Sequence, residues 1–350
     1  MRLGLNLGYW ANAEQAQRNL AYTQEAERLG YSVVWAAEAY GSDNPATLAW
    51  LAAQTERIEL GSAIMQIPAR QPAATAMTAA TIDTLSGGRF RLGLGVSGPQ
   101  VSEGWYGVPF SKPLARTREY IDIVKKVLSR KTVTYEGKHY TLPLPDGPGK
   151  ALKLSLHPHR TDIPVYLASI GPKNLELTGE LADGWLAIFL EPEAAAEHLA
   201  HLAKGRAKVG KTLEGFDIAP AVPIVIGEDP EMCAEMVKGY ASLYIGGMGS
   251  KEHNFYHALA TRMGYGDAAD EIQEHFLNKR YREAMAAVPF EFVDRTSLLG
   301  PVERIAERLK AYAEAGVTTL SVVSFDSDVE DGIETLRGAA KAFELAGVSE

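Results

Sequence analysis

The chain has a single cysteine, Cys233, among its 350 residues. It therefore has no internal disulfide, and a reducing cytoplasm is the expected setting. Positive charge is scarce: 35 Lys and Arg stand against 44 Asp and Glu, a formal net charge of −9. A surface of that sign repels phosphate backbones, so no nucleic-acid partner is expected. Long apolar runs are missing too. The hydrophobic stretches have the length of strands, so no membrane span is expected. The opening MRLGLNLGYW turns polar at once and no small-residue cleavage site follows, so no secretory signal is expected. Several motifs are also lacking. No G-x-G-x-x-G opens a helix after the first strand, which argues against a dinucleotide-binding open sheet. His253 and His257 are spaced i, i+4 without the glutamate of H-E-x-x-H. His157-Pro158-His159 has no ligand-spaced carboxylate or cysteine nearby, so no metal site is expected. Ser62 and Ser97 lack the turn that exposes a hydrolase nucleophile.

What is present is a rhythm. Hydrophobic residues make up 46% of the chain, enough for a core of ordinary size. Eight β-rich runs, at 2–8, 32–35, 58–64, 90–96, 164–169, 184–190, 217–226 and 317–325, alternate with helical patterns. The helices are expected at 12–30, 46–55, 73–85, 113–128, 174–182, 192–209, 230–244, 302–315 and 331–346. Strict strand–helix alternation favours a parallel sheet, and eight units close a barrel. The expectation is one α/β domain over 1–350, a (β/α)8 TIM barrel. It carries insertions after strand four (about 132–163, with a small hairpin) and after strand seven (about 245–290, helical). The alternative is an open doubly wound sheet.

In such a barrel the active site lies at the carboxyl ends of the strands and in the loops that follow. That rule nominates Tyr9 and Trp10, then Glu38, Tyr40 and Asp43, then Met65, Gln66 and Arg70. Strand four contributes Ser97, Gly98, Gln100, Glu103, Trp105 and Tyr106; strand six adds Glu191 and strand eight Asp326. Two loops are more specific. Ser169-Ile170-Gly171-Pro172-Lys173-Asn174 joins strand five to a helix. Amides opening that helix, with Lys173, could bind a phosphate, although a tight turn with a solvated lysine fits as well. Gly93-Leu94-Gly95-Val96-Ser97-Gly98 offers small residues against which a flat ring could lie, or a barrel corner relieved by glycine. Cys233 reads as packing, and Asp328 or Asp326 as a helix N-cap in preference to a magnesium ligand.

Four stretches carry a resemblance: LGYSVVWAAEAYGSD (29–43), IELGSAIMQIPARQPAATAMTAATIDTLSGGRFRLGLGVSGPQVSEGWYG (58–107), KPLARTREYI (112–121) and IPVYLASIGPKNLELTGELADGW (163–185). They resemble the luciferase-like monooxygenase superfamily, and more closely its actinobacterial coenzyme F420-dependent oxidoreductases. L-S-G-G-R-F with R-L-G-L-G points to the superfamily, and P-K-N-L-E-L-T-G-E-L-A-D-G-W to the deazaflavin-using branch. The resemblance implies a flavin-type site: Ala63–Ile64 as a non-prolyl cis peptide behind the ring, Glu38 touching the cofactor, and Val96, Ser97 and Gly98 beside the ring. It further implies Ser169, Ile170, Gly171, Pro172, Lys173 and Asn174 around the ribityl chain and phosphate.

One departure stands out. Sugar-phosphate dehydrogenases of this group carry a catalytic histidine directly after the acid, where this chain has Ala39. Hydride transfer from F420 to a small organic substrate, as a reduction, is therefore the expected activity. Such a reduction needs a nearby proton donor, and Glu38, Tyr40, Glu103 and Tyr106 are the candidate catalytic residues. The alternatives are an FMN-dependent two-component monooxygenase and a non-catalytic flavin- or F420-binding protein. Relatives pair through the side of the barrel bearing the Ala- and Thr-rich helices 46–55 and 73–85, so a homodimer is expected.

Overall fold

The computed structural model describes residues 1–349. Eight parallel strands form its centre: β1 (Arg2–Asn6), β2 (Val33–Ala36), β3 (Glu59–Ser62), β4 (Phe90–Gly95), β5 (Val165–Ala168), β6 (Gly184–Ile188), β7 (Asp217–Ile226) and β8 (Thr319–Ser324). Each pairs with its neighbour in chain order, and β8 pairs with β1 through Leu5↔Val322, so the sheet closes on itself as an α/β TIM barrel. β2 and β4 are buried at every position, as parallel strands covered on both faces must be.

The outer layer consists of α1 (Ala13–Arg28), α2 (Asn44–Ala52), α3 (Pro72–Leu85), α4 (Pro113–Leu128), α5 (Pro172–Leu181), α6 (Ala195–Ala207), α7 (Pro230–Ser242), α8 (Val302–Glu314) and α9 (Val329–Ala346). Their ends follow local chemistry. Asn12 caps α1 by accepting the Gln15 N–H at 2.9 Å. Asp43 caps α2 through Ala46 N–H at 2.8 Å, and Asp328 caps α9 through Glu330 N–H at 2.7 Å. Pro72, Pro113, Pro172 and Pro230 sit at helix starts, where a missing N–H costs nothing. No helix is long and apolar enough to cross a membrane among the described residues.

The third strand differs from its expected continuous run. It breaks after Ser62 and resumes as Met65–Gln66, with a cis peptide between Ala63 and Ile64. Gly61 pairs with Arg91 and Met65 with Leu94, so four steps on one strand face three on the other. That extra residue is a bulge. The Ser62 hydroxyl bridges the gap, donating to Gly93 O and accepting from Gly93 N–H, each at 2.8 Å.

Between α4 and β5 the chain forms a short hairpin, Tyr135–Glu136 with Thr141–Leu142. The Glu119 carboxylate of α4 holds its turn by accepting the N–H groups of Lys138, His139 and Tyr140 at 2.8–3.0 Å. Between α7 and α8 lie four short helices, Phe255–Ala260, Gly266–Leu277, Tyr281–Ala286 and Phe290–Arg295, then a short strand, Leu298–Gly300, on β7. Two π-helical turns, Leu243–Gly247 and Thr261–Tyr265, kink this region. With α7 it builds a second apolar cluster around Phe189, Ala234, Ile272 and Phe292, beside the main barrel core. Cys233 is buried in that cluster as packing.

Candidate active site

A cavity of about 940 Å³ opens at the carboxyl ends of the strands. That lies at the upper end of the roughly 300–1,000 Å³ typical of ligand pockets. Its floor is made of small or flat groups: Ala63, Ala168, Ala219, Ala221, Gly95 and the Trp35 indole. Trp35 fits because a Cβ on Gly61 would occupy the indole ring, so only glycine permits this approach.

One wall is built by the loops after β3, β4 and β5. It contains Ala63, Ile64, Gln66, Val96, Ser97, Gly98, Ser169, Ile170, Gly171, Pro172, Lys173 and Asn174. Every expected cofactor residue lines this one cavity, together with Glu38 and Tyr40. Ser97 adopts a left-handed backbone at φ +62. Ser169 is fixed from both sides: its carbonyl accepts Trp185 Nε1–H and its hydroxyl accepts Thr178 Oγ1–H, both at 2.9 Å.

The start of α5 corrects one expectation. The helix begins at Pro172, two residues earlier than its pattern suggested, because proline suits a first helical position. The Asn174 and Leu175 N–H groups both bond to Gly171 O, at 3.0 and 2.9 Å. They turn into the helix, while Lys173, exposed, lines the cavity at the positive end of the helix dipole. No side chain caps this terminus, and nothing lies within 4 Å of where a Gly171 Cβ would stand. A ligand can therefore approach its backbone closely.

Glu38 is buried and fully engaged. Arg70 grips its carboxylate in bidentate fashion at 2.7 and 2.8 Å, and the Gln66 N–H donates to it at 3.1 Å. Gln66 Nε2–H bonds back to Glu38 O at 3.2 Å, and Arg70 also binds Asp43 at 2.5 Å. The charge of Glu38 is thus cancelled in place, which suits a positioning role better than proton transfer. Gln66 Oε1 is buried without a hydrogen-bond partner, as are Trp35 Nε1 and Ser321 Oγ. All three residues line the cavity.

The other expected catalytic residues separate. Tyr40 lines the cavity and is half exposed. Tyr106 is not among the residues lining the cavity; its hydroxyl donates to Ala39 O at 3.4 Å, and burial and then Glu38 raise its pKa. Glu103 does not line the cavity and accepts Phe110 N–H at 2.9 Å within its own loop. Glu191 pairs with Arg295 at 2.9 Å away from the cavity, its pKa raised chiefly by burial.

The second wall is aromatic. It comes from Tyr9, from α7 and from the segment after it: Tyr240, Tyr244, Met248, Phe255 and Tyr256. The Tyr240 and Tyr244 rings lie 4.7 Å apart, and Tyr256 meets Tyr244 edge to face at 4.8 Å. Burial pushes the Tyr244 phenol up to about 12, and those of Tyr240 and Tyr256 further. None of these three stood out in the sequence, because tyrosines at i, i+4 in a helical pattern read as packing. Apart from phenols, the ionisable groups lining the cavity, among the described residues, are Glu38 and Lys173.

A bulged third strand, a left-handed serine after strand four and an uncapped helix after strand five meet at one cavity of the closed barrel, where the resemblance places a flavin-type cofactor. The chain belongs to the luciferase-like monooxygenase family, whose model matches residues 4–319. It is 45% identical over 331 residues, 93% of this chain and 95% of the relative, to a Mycobacterium tuberculosis protein whose name provisionally assigns it as a coenzyme F420-dependent oxidoreductase. An F420-dependent glucose-6-phosphate dehydrogenase of Beutenbergia cavernae is 31% identical over 258 residues, covering 68% of this chain and 74% of that one. Among solved structures, the coenzyme F420-dependent tetrahydromethanopterin reductase of Methanopyrus kandleri shares the fold with a TM-score of 0.79 at 24% identity. It covers 96% of this chain and 97% of that one.

Proposed function

We propose that the protein is a coenzyme F420-dependent oxidoreductase that reduces a small organic substrate. The observation that carries this reading is the wall formed by the loops after β3, β4 and β5, where all the expected cofactor residues converge on one cavity. The 45% identical relative named for the same coenzyme supports it. The residues present fit such a group. Gln66 Oε1 is a buried acceptor without a donor, and a flavin-type ring edge carries an N–H. The open backbone at Gly171, the start of α5 and Lys173 suit a phosphate.

Ala63, Ile64, Val96, Ser97 and Gly98 would hold the ring, and Ser169 through Asn174 the phosphate-bearing chain. When bound, the deazaflavin supplies a hydride. The chain's own part is to bind, orient and dry the site. Arg70 holds the Glu38 carboxylate in place, and Glu38 in turn fixes Gln66. Tyr9 and Tyr40 line the same cavity. Reduction is favoured over sugar-phosphate oxidation because Ala39 follows Glu38 and no histidine lines the cavity among the described residues.

The test is spectroscopic. With reduced F420 and a panel of ketones, enones and imines, the 420 nm band of oxidised cofactor should grow without oxygen uptake. Oxygen consumption with reduced FMN, and none of that growth, would favour the monooxygenase reading that the family's description supports.

We also propose a two-fold homodimer through α2 and α3. On α3, Met77 and Leu85 are 56% and 63% exposed, more than an unpaired apolar helix face favours. Light scattering should give twice the 37.9 kDa chain mass; the single-chain mass would refute it.

A further inference from the structure

The aromatic wall bears on the substrate. It has four features. First, Tyr240, Tyr244, Phe255, Tyr256 and Met248 include no charged side chain. The cavity's one lysine, Lys173, stands at the start of α5, where the cofactor reading already employs it. A sugar phosphate or carboxylate placed against this wall would be buried without a counter-charge, at a cost of several kcal/mol or more.

Second, the wall is rigid. Phe189 packs behind it against Tyr240, Tyr244 and Tyr256, with ring centroids 5.5–6.5 Å apart. Asn254 donates to Tyr244 O at 3.2 Å and to Ile245 O at 2.7 Å, pinning the π-helical turn. Third, that turn delivers Leu243, Tyr244 and Gly247 to the cavity. A π turn is rare and concentrates at functional sites. Here its glycines lie under Phe276, whose ring a Cβ on Gly246 or Gly247 would strike.

Fourth, the wall keeps polar hydrogen in an apolar setting. The Tyr240 and Tyr244 rings pack 4.7 Å apart, and burial raises all three phenols above their ordinary value, so each keeps its proton at neutral pH. A protonated phenol on an apolar surface offers one hydrogen bond to an oxygen but no counter-charge to an anion.

We infer that this wall is the binding site for an uncharged, largely apolar ketone or the corresponding alcohol, oriented by a hydrogen bond between its oxygen and the hydroxyl of Tyr244 or Tyr256. The inference rests on the oxidoreductase reading but concerns binding alone. The rings supply the apolar contact and the phenols supply direction. This is the division of labour expected of a pocket with few placed polar groups.

The test uses the cofactor-free protein. Cyclohexanone and cyclohexanol serve as uncharged probes and glucose 6-phosphate as the charged one, with binding read by calorimetry and by tyrosine difference absorbance. The ketone should bind and perturb the tyrosine band, while glucose 6-phosphate should do neither. Tyr244→Phe and Tyr256→Phe, each a loss of one hydroxyl, should leave folding intact. At least one should weaken ketone binding about fivefold to tenfold, the size of one net hydrogen bond. F420 affinity, measured on the same preparations, should be unchanged by either variant. Tighter binding of glucose 6-phosphate than of the ketone, or unaltered ketone affinity in both variants, would overturn the inference. Absence of F420 binding with the ketone results intact would instead sink the cofactor reading and leave this site standing.

Discussion

Ser97 shows how much one residue says about the site. Its φ of +62 places a residue with a Cβ in the left-handed region, beside the cavity and next to Gly98. Such a conformation costs roughly 1–2 kcal/mol and clusters where function constrains the backbone. Ser97→Val should therefore lower unfolding free energy by about 1–2 kcal/mol, while Ser97→Gly should not lower it. Urea denaturation distinguishes the two, and equal losses in both would show that the backbone is not the constraint. Arg70 gives a second prediction. Removing it leaves Glu38 buried with an uncompensated charge, so Arg70→Ala should cost about 3–5 kcal/mol. Replacing both partners, Glu38→Gln with Arg70→Met, should recover much of that loss. A double variant no more stable than Arg70→Ala would contradict the charge argument. The two residues are 32 apart in sequence, and nothing in either neighbourhood announces the pairing. That is why Glu38 reads as an acid in the sequence and as half of an ion pair in the structure.

Among the elements, the strands and barrel helices are legible because local rules agree with tertiary ones. Apolar runs of strand length, proline at helix starts and Asp or Asn caps all mark the same boundaries. The third strand is less so, since IELGSAI alternates well enough to read as continuous. The interruption depends on Ser62 stitching to Gly93 across the sheet, a contact between residues 31 apart. The π turn at Leu243–Gly247 is not legible from periodicity, because it is a departure from the helical period, and with it the aromatic wall is missed. Its packing is testable: Gly246→Ala should drive a methyl into Phe276 and destabilise the protein by about 1–3 kcal/mol. Gly247→Ala, whose methyl would meet the far edge of the same ring, should be partly rescued by Phe276→Leu in thermal melts. No loss from Gly246→Ala would mean the turn is loosely packed.

For the whole molecule, the two ends of the barrel do different work. At the end opposite the cavity, Asp217 at the start of β7 pairs with Arg91 at 3.0 Å and Arg2 at 3.1 Å. It also accepts hydrogen bonds from Tyr166, Thr318 and Thr319 at 2.5–2.8 Å. Burial alone would raise its pKa; Arg91, Thr318 and Arg2 outweigh it and hold the carboxyl below its ordinary 3.8. A depressed folded-state pKa contributes stability that is present above the unfolded value and lost as pH falls through the folded one. The denaturation midpoint should therefore fall steeply below about pH 4, and in Asp217→Asn this part of the acid dependence should be absent. A wild-type midpoint unchanged down to pH 3 would contradict it. Beside the cavity, by contrast, Arg70 holds Glu38 and also binds Asp43.

Direct titration of the purified protein with oxidised F420 and, separately, with FMN tests the central claim most simply. Deazaflavin fluorescence should change saturably at one F420 per chain, Lys173→Glu should weaken it at least tenfold through charge reversal beside the phosphate, and FMN should compete poorly. Tight stoichiometric FMN binding with no response to F420 would contradict the assignment.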